Sequence, residues 1–352
     1  MHNLYEQFGV SPWLDNLSRD LIVGGSLQTL IDQGIRGVTS NPSIFEKAFS
    51  EGEAYRQPYA ELREKGVSTE DAYWQLAIED IQHACDHLRR VYDESAGNDG
   101  FVSLEVSPAL ARDSLGTFTQ AKELWERVSR PNLMIKIPAT EQCLPAITET
   151  LAYGINVNVT LIFSLHRYLQ VIAAYLSGIE RLDDPSRVRS VASFFVSRVD
   201  SEVDERLSDD SLKGLAAVAQ ARAAYGIFLE SFTENSERWQ RLVRQGAVAQ
   251  RPLWASTSTK NPAYPDLKYV EGLLAHGSVN TLPNSTIDAI IDHASLASWT
   301  AIDAGQIEQA HEDLQKLASA GINMNDVAAK LEQEGVAKFQ AAFSSMLAAL
   351  EA

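Results

Sequence analysis

Eight short apolar segments of strand-like composition recur along the 352-residue chain, separated by longer stretches of helical period. They are 11–17 (SPWLDNL), 35–40 (IRGVTS), 101–106 (FVSLEV), 132–137 (NLMIKI), 155–162 (INVNVTLI), 191–197 (VASFFVS), 252–256 (PLWAS) and 278–282 (SVNTL). A strand reached through a crossover helix lies parallel to the one before it, so the alternation predicts repeated βα units and a parallel sheet. Eight such units are the number that closes on itself. The expected fold is α/β, a single (β/α)8 TIM barrel over residues 1–352.

Between the strands, 114–128 and 165–181 place apolar residues at three- and four-residue steps. In the second of these, Leu165, Tyr168, Leu169, Ile172, Leu176 and Ile179 make the stripe. Two connections, of about 60 residues after the second strand and about 50 after the sixth, exceed ordinary loop lengths and carry helical sequence. They read as helical insertions, the first at about 46–100. The tail from about 304 to 352 is helical too, and puts Val336, Phe339, Phe343, Met346, Leu347 and Leu350 on one face that would pack on the barrel.

Lys plus Arg total 30 against 47 Asp plus Glu, a formal net charge of −17, and no basic cluster interleaves with aromatics. Nucleic acid is not an expected partner. No apolar run approaches the roughly 18 residues of a membrane span, so no membrane partner is expected either. The start MHNLYEQFGVSPWL lacks the basic-then-apolar order of a secretion signal, and Cys85 and Cys143 could form one bridge at most. These features predict a cytoplasmic protein. An anionic substrate would be repelled by the overall field, and its attraction would fall to a few local cations.

Alternate residues of a barrel strand point toward the axis and toward the helices. In the fifth segment Ile155, Val157, Val159 and Leu161 share one face, with Asn156, Asn158 and Thr160 on the other. In the fourth, Leu133, Ile135 and Ile137 share a face, which turns Lys136 inward; in the third, Glu105 is in phase with Ser103 and Phe101. Asp15 lies near the end of the first strand and Asn41 just past the second. All fall toward C-terminal strand ends, where barrel enzymes carry their active sites. Each alone fits a helix cap or loop residue, but a lysine, two carboxylates, two Asn and a Thr together point to one polar mouth.

The lysine suggests the chemistry. An amine stripped of solvent has its charged form disfavoured, which makes it a nucleophile toward a ketone. The resulting Schiff base is an electron sink for breaking or forming the adjacent carbon–carbon bond, with a carboxylate moving protons and amides orienting hydroxyls. A Lys136 held only in a buried ion pair with Asp15 or Glu105 is the alternative, and both remain open at this level.

Four motifs then occur in order: TSNPSIF (39–45), LMIKIPAT (133–140), INVNVTLIFS (155–164) and SFFVSRVD (193–200). With them the chain resembles the transaldolases, in their longer bacterial form, from about residue 10 to about 345. The resemblance implies transfer of a dihydroxyacetone unit from a ketose phosphate such as sedoheptulose 7-phosphate or fructose 6-phosphate to an aldose phosphate, with no cofactor. It implies Lys136 as the Schiff-base residue, Asp15 as acid and base on the C4 hydroxyl, and Glu105 with Thr160 as holders of the water of carbinolamine chemistry. Asn41 and Asn158 match the amides that bind the dihydroxyacetone hydroxyls, with Ser193 beside them. Arg198 matches the phosphate arginine, and its phase, opposite to that of Ser193, places it beyond the regular strand.

The chain departs from the pattern at a second phosphate arginine, two residues after the serine equivalent to Ser256, where it has Ser258; Lys260 is the candidate replacement. Fructose-6-phosphate aldolases, shorter members of the superfamily, have glutamine and tyrosine where this chain has Glu105 and Phe195. Sugar phosphates are thus the implied partners, and a homodimer is left open.

Other signals point nowhere specific. His83 and His87 in HACDH have ligand spacing, but Ala84 stands where a zincin has glutamate. The remaining histidines do not gather at strand ends, and no metal is expected. Two rival readings are a pyridoxal-phosphate enzyme, which would be coloured, and a non-catalytic sugar-phosphate binder, which would form no reducible adduct.

Overall fold

The computed structural model describes residues 1–351; Ala352, the last residue of the expected C-terminal extension, lies outside the described residues. Its core is a closed parallel barrel of β1 (Ser11–Leu14), β2 (Gly37–Thr39), β3 (Phe101–Glu105), β4 (Leu133–Pro138), β5 (Val157–Ile162), β6 (Ser190–Phe195), β7 (Arg251–Ala255) and β8 (Val279–Leu282). Each strand pairs with its sequence neighbours, and β1 closes on β8 through Ser11↔Val279 to Leu14↔Leu282. All eight expected strands are present. The first two are each three residues shorter than expected; in the first, the chain beyond Leu14 leaves the sheet into the mouth.

The long connections are helical as expected. After β2 come Pro42–Glu51, Arg56–Glu64 and Thr69–Glu94, and after β6 come Ser197–Arg206, Ala216–Ser231 and Glu237–Val243. The tail ends in the 28-residue helix Met324–Glu351. Its Val336, Phe339, Phe343 and Met346 are buried, with Leu347 and Leu350 half-buried at the end of the stripe.

Two details of the expected patterning are corrected. Leu169 is 49% exposed, because the buried face of Leu165–Ile179 centres on Tyr168, Ile172, Tyr175 and Ile179, and position 169 falls outside its edge. The alternation of β5 stops before Leu161, which has φ +60° beside a register shift between Val159 and Ile162. The bulge swings Leu161 away from the helix-facing side and against Gly335 of the C-terminal helix.

Opposite the mouth, the buried Asp99 draws strand ends together. Its carboxylate accepts from Ser11 Oγ at 2.6 Å, Trp13 Nε1 at 2.9 Å and Arg36 Nε at 2.8 Å, with Arg251 at 3.3 Å. Buried charge is tolerated here because nearly every oxygen lone pair is used.

Candidate active site

A cavity of about 810 Å³ opens at the C-terminal ends of the strands. Asp15, Asn41, Lys136, Thr160, Ser193, Phe195, Arg198, Ser256 and Lys260 all line it. These come from six strands or the loops after them, so parallel topology alone delivers them to one end of the barrel.

Register then sets the inner layer. Glu105 pairs with Lys136 across β3 and β4, and Lys136 pairs with Asn158 across β4 and β5. Side chains at laterally paired positions lean to the same face, so all three enter the barrel together. The Lys136 ammonium lies 3.3 Å from Glu105 Oε2, at ion-pair distance but without hydrogen-bond geometry, and donates to the Ser40 carbonyl at 3.1 Å. Both interpretations of the lysine therefore find support: the buried pair with Glu105 exists, and the same amine faces the cavity. Burial raises the Glu105 carboxyl above the usual range, a shift opposed by Lys136 and reinforced by Asp15.

Glu105 and Asn158 do not reach the cavity wall. Glu105 sits behind Lys136, beside a small void shared with Tyr73 and Phe343. Asn158 is fully buried with both ends of its amide engaged: Nδ2 donates to Ser103 Oγ at 3.0 Å, and Oδ1 accepts from Ser193 Oγ at 2.7 Å. Neither Glu105 Oε2 nor Thr160 Oγ1 has a hydrogen-bond partner among the described residues.

At the rim, Asp15 accepts from Thr39 Oγ1 at 2.8 Å. Asn41 caps Pro42–Glu51 by accepting from the Ile44 amide at 3.0 Å, a helix cap that also faces the cavity. Arg198 follows the end of β6 on the helix Ser197–Arg206, beyond the regular strand as its phase required. Its guanidinium carbon stands 5.5 Å from the Phe195 ring centroid. Ser256 has φ +58° and lies 3.0 Å from Ser197 Oγ, a strained non-glycine position of the kind found at functional sites. Lys260 donates to Ser258 Oγ at 2.8 Å. Although exposed at the rim, its ammonium is held below the ordinary lysine value, chiefly by partial burial and then by repulsion from Arg198 and Lys338.

Among the lining residues that sequence reasoning missed are Thr39, Phe339 and Lys338. The Phe339 ring centroid is 6.0 Å from the Lys136 ammonium. In the sequence Phe339 reads as one more core position of an amphipathic helix, about 200 residues from Lys136, and only docking of that helix reveals its site role.

A closed parallel barrel with a buried, carboxylate-flanked lysine in its C-terminal mouth defines a lysine-dependent, aldolase-like barrel enzyme. The family model for transaldolase/fructose-6-phosphate aldolase matches residues 12–350. The chain is 49% identical to a transaldolase of Mycolicibacterium paratuberculosis, covering 96% of this chain and 93% of that protein. It is 50% identical to a transaldolase of Renibacterium salmoninarum and 49% to one of Thermobifida fusca, each over 96% of this chain and covering 92% and 94% of those proteins. The chain belongs to the transaldolase/fructose-6-phosphate aldolase family.

Proposed function

We infer that the protein is a transaldolase of the non-oxidative pentose phosphate pathway. It moves a dihydroxyacetone unit from sedoheptulose 7-phosphate or fructose 6-phosphate to glyceraldehyde 3-phosphate or erythrose 4-phosphate. The observation that carries this reading is the Lys136 amine facing the cavity with Glu105 at 3.3 Å behind it. Within the family, Glu105 and Phe195 favour transfer over simple aldol cleavage.

In the proposed sequence, Lys136 attacks the ketose C2 and water leaves, giving an iminium. Asp15 takes the C4 hydroxyl proton, the C3–C4 bond breaks, and its electron pair is held as the enamine while the aldehyde phosphate departs. The acceptor aldehyde adds by the reverse step, with Asp15 returning the proton, and water then releases the product. Glu105 and Thr160 hold that water; their unpartnered oxygens support the role. Asn41 and Ser193 contact the dihydroxyacetone hydroxyls, and Asn158 acts beneath Ser193, whose hydroxyl it fixes. Phe195 forms a wall, and Arg198, Ser256 and Lys260 bind phosphate, a role in which a planar guanidinium is well matched.

The experiment is borohydride reduction in the presence of fructose 6-phosphate. A dihydroxyacetone-sized adduct on Lys136, absent in Lys136→Met, is expected; an adduct elsewhere overturns the assignment. We place this activity in the cytoplasm and treat the whole chain as one folding unit. No helix among the described residues is long and apolar enough to cross a membrane.

A further inference from the structure

The C-terminal helix Met324–Glu351 lies across the mouth of the barrel and is fastened at several points. Lys330 pairs with Glu202 at 2.7 Å, Arg167 approaches Glu332 at 3.5 Å, and Gln340 donates to the Pro108 carbonyl at 3.2 Å. Phe343 packs edge-on to Tyr73, with ring centroids 5.4 Å apart. These contacts fix the rotation of the helix about its axis. With Phe339 turned toward Lys136, the neighbouring Lys338 falls at the edge of the buried stripe, where it lines the cavity.

Lys338 is chemically unused there. Glu334 lies one turn before it, yet the carboxylate approaches Lys330 at 3.8 Å, and Lys338 has no carboxylate within 4.0 Å among the described residues. Arg198 and Lys260 likewise have no ion-pair partner among those residues. Three unpaired cations thus share one cavity in a chain of net charge −17. Their mutual repulsion is felt at Lys260, where both Arg198 and Lys338 disfavour the charged form. Such a concentration of like charge is relieved by an anion placed among them, and a phosphate monoester brings close to two negative charges at neutral pH.

We propose that Lys338, carried by the C-terminal helix, is a third phosphate-binding cation of the substrate site. The inference rests on Arg198 and Lys260 being phosphate residues. The dihydroxyacetone unit stays on Lys136 while the phosphate-bearing aldehyde leaves and its replacement enters. The same pocket therefore receives the phosphate of donor and of acceptor, and Lys338 contributes equally to both.

The test compares Lys338→Met with the parent enzyme, using fructose 6-phosphate as donor and erythrose 4-phosphate as acceptor, and dihydroxyacetone as an unphosphorylated donor. Lys338 is exposed on a helix and methionine is a good helix former, so an unchanged Tm is the check on folding. The KM for both phosphorylated substrates should rise by roughly 5- to 20-fold, the scale of a hydrogen bond between charged groups at a partly open site. Inhibition by inorganic phosphate should weaken by a similar factor, kcat should stay within about twofold, and Lys338→Arg should restore most of the loss. An unchanged KM, or an equal change with dihydroxyacetone, overturns the proposal while leaving the transaldolase reading standing. A parent enzyme that gives no borohydride adduct with fructose 6-phosphate overturns that reading, and this inference with it.

Discussion

The Lys136 ammonium and the Glu105 carboxylate sit 3.3 Å apart with each side chain about 5% exposed, held together by direct register pairing of β3 and β4. Removing one partner leaves the other buried without it, which typically costs about 3 kcal/mol. Lys136→Met should therefore lower stability by about that amount as well as abolish the adduct, and adding Glu105→Gln should recover most of the stability. The sign with pH follows from the raised Glu105 carboxyl. The acid is neutral below the ordinary carboxylate range, so the cost is absent there and grows as pH rises through the raised value. Urea melts of the single and double variants across pH 4–8 check this, and a pH-independent loss would contradict it.

Asp15 is oriented by the Thr39 hydroxyl at 2.8 Å while it faces the cavity. Asp15→Ala should still form the reducible adduct, with turnover down roughly 10²-fold, the scale of lost general acid–base catalysis. Thr39→Val should give a smaller loss in kcat with the adduct intact. Full turnover in Asp15→Ala would remove that residue from the proton-transfer role.

Lys260 titrates below an ordinary lysine. A lowered pKa means that the ammonium is lost earlier as pH rises, so affinity for phosphate should fall on the alkaline limb before a normal lysine would lose its proton. kcat/KM for fructose 6-phosphate should show this limb, and the unphosphorylated donor dihydroxyacetone should not. Lys260→Arg keeps its charge over the same range and should lose the limb. Its persistence in that variant would assign the titration to another group.

Gly37 lies against the indole of Trp13, where an added Cβ would stand 2.5 Å from ring atoms. Trp13 cannot retreat, because its Nε1 donates to Asp99 at 2.9 Å. Gly37→Ala should destabilise the barrel by about 2 kcal/mol through overpacking, seen as a lower denaturation midpoint with a similar slope. An unchanged midpoint would show that the Trp13–Asp99 contact is not rigid.

The strands, their inward phase and the polar residues at their ends were legible because backbone geometry is local: a side-chain period of two and a helical crossover need no distant contact to be read. Lys136, Glu105 and Thr160 were found this way, as was the displacement of Arg198 beyond its strand. Local phase failed where the backbone departs from regularity, as at Leu161, whose bulge no alternation announces. It also could not rank depth, since Asn158 and Ser193 share a phase but only Ser193 reaches the cavity.

The sequence by itself thus determined the barrel and most of the side chains pointed into its mouth, because both follow from short-range periodicity repeated eight times. Only the tertiary structure decided that Lys136 meets Glu105, that Asn158 lies beneath Ser193, and that Lys338 and Phe339 line the cavity. Those relationships depend on the register between strands and on where a remote helix docks. Both are set by long-range packing, which the local pattern of a chain does not encode in readable form.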